Sequence, residues 1–400
     1  MPKFVFLLQA IACKLWSGMG ERTGVKGFHA FDGLRGYMAW WVVIGHGLHL
    51  CGLQNIAPAI LSSGDHAVNV FVSLSGFVIS HLLLERREPY GRYLVRRAFR
   101  IFPIYWFALA CAMLLAQMYS SVYAGDWVFQ HEMRAARAVA TEAEFSKYLL
   151  LHVSLLHGLV PDTWLPFSST AFLAPAWSLS LEWQFYLVAP FLVAGLAKPG
   201  MSRLLTLLLL SASWVLFKKV LPLQWQYPAV LPLSIHFFML GILSRVFLQV
   251  LSSIGFWLIP VALLMSGLAP RSVSTEVAVW GVFMAAACLQ LRASQAKGAV
   301  RDLAWFSRFL EFVTSNSVAR WLGEFSYSTY LIHITLFSLV GWIAAKLGGA
   351  WTQQIAAVST SIAVILLIPL SYLLYRFIEK PFIRWGAALA KPQGISLKAV

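Results

Sequence analysis

Ten apolar stretches of spanning length, each bounded by charges, proline or glycine, leave few folds open to this chain. They fall at about 36–53, 67–84, 101–119, 176–197, 203–221, 229–248, 254–269, 276–291, 326–347 and 355–377. A bilayer core about 30 Å thick takes roughly 20 helical residues to cross. Inside hydrocarbon every backbone N–H and C=O must be satisfied within the segment, which selects helices. The expected fold class is therefore all-α: a polytopic integral membrane protein with about ten transmembrane helices. The run at 276–291 is at the short end, and YLLLHVSLLHGLV at 148–160 is too short to span comfortably. No internal repeat or low-complexity linker divides the chain, so it reads as one membrane domain.

Composition agrees and removes a competing class. Hydrophobic residues make up 59% and charged residues 12%, with a mean hydropathy of +0.72; soluble domains carry about 25% charged residues. A net charge of +15 could indicate nucleic acid, but the basic residues sit in short segments between apolar runs. By this helix count, 24 of the 31 Lys and Arg fall on one side of the membrane and 7 on the other. The positive-inside rule then places both termini in the cytoplasm. No nucleic-acid partner is expected. Cys13, Cys51, Cys111 and Cys288 are scattered without a C-x-x-C pair, which signals neither a disulfide framework nor a zinc site.

The start of the chain is ambiguous. Lys3 followed by FVFLLQAIAC resembles a short signal-peptide core. Lys14, Arg22 and Lys26 follow at once, however, and cleavage would leave that basic flank outside. The expectation is an uncleaved cytoplasmic extension over 1–27, a transmembrane domain over 28–383 and a cytoplasmic tail over 384–400.

Several ionisable residues fall at or near membrane depth, where such groups are costly and invite a functional reading. Arg35 and His46 are eleven residues apart in FDGLRGYMAWWVVIGHGLHL. At about 100° and 1.5 Å per residue they share one helix face, roughly 16 Å apart. The alternative makes Arg35 a positive-inside anchor and His46 a packing residue. His49 completes an H-x-x-H pair, but one such pair is weak evidence for metal, and none is expected. Glu182 in PAWSLSLEWQFYLVAP lies about a turn and a half into its span. Arg92, Arg96 and Arg100 recur every four residues, with Arg97 adding a fourth charge. Guanidiniums match phosphate geometry with paired donors; orientation or contact with anionic lipid explains the stripe equally well.

Six motifs follow one another in order: FDGLRG with Arg35-x10-His46, NVFVSLSGFVIS, RRAFRIFPIYW, PAWSLSLEWQFYLVAP, GEFSYSTYLIHI and EKPF. Together they resemble the acyltransferase-3 family of bacterial membrane enzymes, typified by O-antigen and Nod-factor O-acetyltransferases. The resemblance runs from about residue 28 to 383. It implies an O-acyltransferase of the bacterial cytoplasmic (inner) membrane. The implied co-substrate is acyl-CoA, acetyl-CoA first, with no bound cofactor. The implied acceptor is a hydroxyl of a cell-surface or exported carbohydrate, free or lipid-linked. Many relatives carry a soluble SGNH-type domain after the membrane region; this chain ends about twenty residues after EKPF, so none is expected.

Such chemistry needs a base near the hydroxyl, positive charge or donors for the oxyanion, and a cationic grip on the donor's phosphates. His46 is the best base candidate. Glu182, on an antiparallel span, could orient it by the logic of hydrolase triads. Arg92, Arg96, Arg97 and Arg100 suit the phosphates of CoA, and Arg35 could meet the same donor or pair with Asp32. Ser75 reads as a small packing position rather than a nucleophile, and Tyr330 and His333 read as core. The region 120–175 is long for a turn; its acids beside Trp127 and Trp164 suit a sugar, or make a passive cap. Two other classes compete: a transporter or flippase of a polysaccharide or lipid-linked intermediate, and a non-catalytic scaffold. The first lacks a paired broken-helix signature, and the second leaves Arg35, His46 and Glu182 unexplained.

Overall fold

The computed structural model describes residues 28–86, 88–295 and 304–391. The expectations for 1–27, and for the tail beyond 391, lie outside the described residues. Among the described residues every regular element is a helix. In chain order the main ones are α1 (His29–Leu50), α2 (Gly64–Glu85), α3 (Tyr90–Leu114), α4 (Ala116–Val122), α5 (His131–Ala143) and α6 (Phe145–Val153). Then come α7 (Trp177–Ala197), α8 (Met201–Val215), α9 (Leu231–Val246), α10 (Leu248–Ile254), α11 (Leu258–Leu268), α12 (Arg271–Gln295) and α13 (Ala304–Ser315). The last four are α14 (Ser317–Glu324), α15 (Ser326–Gly348), α16 (Gln353–Leu374) and α17 (Lys380–Leu389).

Eight helical stretches among the described residues are long and apolar enough to cross a membrane. Two expected runs fall short of that measure. The helix α1 has 22 residues but carries Asp32, Arg35, His46 and His49, and α9 is apolar but only 16 residues long. Each of the ten expected runs coincides with a helix, so the protein is an all-α polytopic membrane protein. Two helices extend beyond the apolar runs. The helix α3 begins at Tyr90, so the arginine-rich segment forms its first turns, and α17 continues the helical chain to Leu389.

Glycine sets the closest helix contacts. A Cβ on Gly36 of α1 would strike the backbone of Ala319 and Gly323 in α14, and one on Gly323 would strike the Asp32 carbonyl. The FDGLRG and GEFSY motifs are thus the two sides of one packing surface. Gly76 of α2 and Gly241 of α9 meet in the same way, against Phe238 and Ser73. Small residues let helix backbones approach where no hydrophobic force separates helix from lipid.

The two ends of α1 face different surroundings. Residues 116–173, with α4 to α6, form a cap at its His49 end. Phe129 N donates to the His49 carbonyl (3.0 Å), Gln353 Nε2 to the Cys51 carbonyl (2.8 Å), and Trp351 Nε1 to the Val122 carbonyl (2.9 Å). These bonds tie the cap to α1 and to the start of α16. The other end, with Arg35, lies toward α3 and the π-helical turn Tyr375–Glu379, which separates α16 from α17.

Candidate active site

The centre of the site is a pair of imidazoles. His46 on α1 and His333 on α15 have ring centroids 5.2 Å apart at 35°. His333 is fully buried, because α15 turns a nearly continuous run of residues from Ser326 to Ser338 into the interior. Its Nδ1 lies 2.8 Å from the Tyr330 carbonyl. A carbonyl can only accept, so Nδ1 carries the hydrogen and neutral His333 presents a lone pair at Nε2. That Nε2 is buried without a hydrogen-bond partner, as is Nδ1 of His46. Tyr330 is held in turn by its hydroxyl, which donates to the Pro175 carbonyl (2.8 Å) and meets Ser178 Oγ (2.9 Å). The PAWS and SYSTYLIH motifs therefore meet beside the two histidines.

Glu182 does not face His46. Its Oε1 accepts from Ser75 Oγ at 2.8 Å and from the Tyr186 hydroxyl at 2.5 Å. Position along a span sets depth and not azimuth, and the azimuth of Glu182 turns its carboxylate to Ser75 on α2. Ser75, read as a packing position, is a carboxylate donor. Around them lies a charged cluster at the Arg35 end. Arg97 sits over the rings of Tyr186 (5.7 Å) and Tyr93 (5.9 Å). Arg100 is within electrostatic reach of Glu379, Tyr186, Glu182, Tyr327 and Arg35. Glu379, the acid of EKPF, is buried and accepts from Ser328 Oγ at 3.0 Å. Arg35 donates to Asp32 Oδ1 at 2.9 Å and also feels Arg100, Tyr186 and Glu182.

The arginine stripe divides. Arg97 turns toward Tyr186 and Arg100 toward Tyr186 and the two carboxylates, whereas Arg96 pairs with Glu88 and Arg92 makes no ion pair among the described residues. Four-residue spacing placed Arg92, Arg96 and Arg100 on a line. It could not show that the inward direction lies between Arg97 and Arg100.

At the cap end the His49 ring stacks on Phe129, 4.4 Å between centroids, and stands edge-on to His46 at 6.1 Å. Trp127 is half-buried, 6.3 Å from Trp351, while Trp164 is exposed. Among the described residues no group of three or more His, Cys, Asp or Glu is arranged to hold a metal.

Compared with known protein families, residues 28–376 match the acyltransferase-3 family, described as an acyltransferase domain. The chain belongs to that family. It is a membrane acyltransferase, and the match covers His46, His333, Glu182 and all four arginines of the stripe. No curated protein and no solved structure matches it. Tyr330 and His333, expected as core, are buried, and the structure adds that His333 lies beside His46 and that the buried Glu379 meets Ser328. The only sequence signal for His333 was an imidazole on an apolar span, the same kind of signal that His46 gives.

Proposed function

We propose that this acyltransferase moves an acyl group, acetyl first among candidates, from acyl-CoA to a hydroxyl of a cell-surface or exported carbohydrate. The supporting observation is the His46–His333 pair with its unpartnered nitrogens. It lies between an arginine- and carboxylate-rich cluster at one end of α1 and an aromatic, arginine-bearing cap at the other. With the termini cytoplasmic, donor and acceptor enter from opposite faces of a bacterial inner membrane.

Arg97 and Arg100, with Arg35, hold the phosphates of CoA, and Glu182 and Glu379 position these guanidiniums. Arg92 and Arg96 stand at the rim of that cluster. Arg35 and His46 are roughly 16 Å apart along the helix, a distance the extended arm of CoA bridges, so the thioester reaches the imidazoles while the phosphates stay at the surface. His46 takes the proton of the acceptor hydroxyl as its oxygen attacks the thioester carbonyl. The C–S bond then breaks, and the thiolate of CoA leaves and is protonated. His333 Nε2 supports the charged imidazolium, or relays its proton.

Release of free CoA by the purified protein, dependent on added polysaccharide, is the test. Acyl-CoA that stays intact with every carbohydrate supplied, by a folded protein that also fails to bind CoA, overturns the reading.

A further inference from the structure

Two arginines are buried in the cap with no ion pair among the described residues. Arg134 is 7% exposed and Arg137 5%. They are three residues apart on α5, which puts both on one face. Both donate to the same acceptor, the Tyr119 hydroxyl: Arg134 through Nη1 at 3.0 Å, and Arg137 through Nη2. Arg134 Nε also donates to the Phe129 carbonyl at 3.1 Å, and its guanidinium lies 4.7 Å from the Tyr123 ring centroid. Neither arginine has an ion pair among the described residues.

Buried cations are costly unless they are paired. Here the neighbours of Arg134 and Arg137 are tyrosines: Tyr119, Tyr123 and Tyr227. Burial alone would push the Tyr119 phenol up, yet Arg137 and Arg134 outweigh it and hold that phenol below its ordinary range. The field at this point is strongly positive. Guanidinium donors remain uncommitted on both side chains, at Arg134 Nη2 and at Arg137 Nε and Nη1, and guanidinium donors suit a carboxylate or a phosphate. The Tyr123 hydroxyl, stacked ring to ring with Tyr119 at 4.4 Å, is buried and also without a partner. Through Phe129 the cluster is continuous with His49, and its charge is felt at His46.

We propose that Arg134, Arg137 and Tyr119 bind a negatively charged group, a carboxylate or a phosphate, on the acceptor saccharide, so that the enzyme selects anionic glycans. The proposal rests on the carbohydrate-acceptor reading above. It adds that the cap holds the acceptor by its charge and presents a neighbouring hydroxyl to His46.

The test uses the full chain in nanodiscs of phosphatidylcholine, with CoA saturating so that the Arg97–Arg100 cluster is already occupied. Binding of glucuronate, glucose 1-phosphate and glucose is read by calorimetry. At least one of the two anionic sugars is expected to bind ten- to a hundredfold more tightly than glucose, the factor lost with about one charged hydrogen bond. Arg137→Gln should remove that preference and Arg137→Lys retain part of it. The wild-type comparison decides the matter even where a variant folds poorly. Equal binding of all three sugars to wild type overturns the proposal, as does an anion preference that survives in folded Arg134→Gln and Arg137→Gln proteins. If only phosphatidylglycerol discs stabilise the protein in an Arg134- and Arg137-dependent way, the ligand is a lipid headgroup and the saccharide proposal fails. Failure of CoA itself to bind wild type would instead overturn the acyltransfer reading from which this one starts.

Discussion

The imidazoles of His46 and His333, 287 positions apart in sequence, lie 5.2 Å apart between ring centroids in the interior of the helix bundle. Each keeps one buried nitrogen free of any hydrogen bond. Buried polar atoms in folded proteins are almost always paired, and the two unpartnered nitrogens on facing rings are the observation on which the proposed acyl transfer rests. The Tyr330 carbonyl fixes the His333 tautomer and leaves a lone pair at its buried Nε2.

Replacing His46 by Ala should lower acyl transfer by about 10²–10⁴, the range expected for loss of a general base, while CoA still binds. Replacing His333 by Ala should give a loss in the same step. Isotope-labelled acyl-CoA turnover and equilibrium CoA binding on the same preparations check both. Near wild-type turnover by either folded variant would remove that histidine from the chemistry.

The divided arginine stripe gives a second expectation. Neutralising Arg97 and Arg100 together should weaken CoA binding by about ten- to a hundredfold per lost charged hydrogen bond. Arg96→Gln should cost less affinity, because that side chain pairs with Glu88, but should lower thermal stability by stranding a largely buried carboxylate. Equal affinity losses across the four arginines would restore the undivided stripe.

Much of the fold was legible because the bilayer imposes one length and one periodicity on every span, so ten apolar runs lead to ten helices. Position along a helix was legible too, since rise per residue put Arg35 at one end of its span and His46 near the middle. Azimuth was not. Whether Glu182 turns toward His46 or toward Ser75 depends on how α7 rotates against α2, and packing decides that rotation. The neighbour of His333 was hidden for the same reason: its ring belongs to an apolar run, and only the approach of α15 to α1 brings it to His46. The motif glycines were visible but mute, because Gly36 and Gly323 acquire meaning only when α14 lies against α1.

Those glycines carry a stability prediction. Gly76→Ala should destabilise the protein by about 1–3 kcal/mol, the usual cost of forcing added carbon into a packed interior, because its Cβ would meet the Phe238 carbonyl. Gly91, with nothing within 4 Å of an added Cβ, is the control, and Gly91→Ala should leave the melting midpoint unchanged or raised. Thermal unfolding in matched detergent reads the difference. A Gly76→Ala protein as stable as Gly91→Ala would mean that α2 and α9 are not in backbone contact.

The cap carries the last prediction, which concerns pH. His152 and His157 stack in parallel, 4.1 Å between centroids and 4° between planes, and both are fully buried. His152 Nε2 lies 3.1 Å from the Ser168 carbonyl and His157 Nε2 lies 3.0 Å from the Ala176 carbonyl, so each ring is held neutral with its hydrogen committed. Burial lowers the His157 pKa to about 4, and burial followed by the neighbouring His157 lowers that of His152 well below its ordinary value. An unfolded histidine titrates near 6.5. Between about 6.5 and 4 the unfolded chain therefore binds more protons than the folded one, and stability falls as pH falls through that window. For His157 the loss amounts to about 3 kcal/mol by pH 4. Thermal midpoints at pH 7.5, 6 and 5 should fall in that order. In His157→Phe, which keeps the stack and removes one titrating group, the fall should be shallower. A midpoint flat from pH 7.5 to 5, or an acid sensitivity unchanged in His157→Phe, would mean that the stacked pair does not govern how the cap responds to acid.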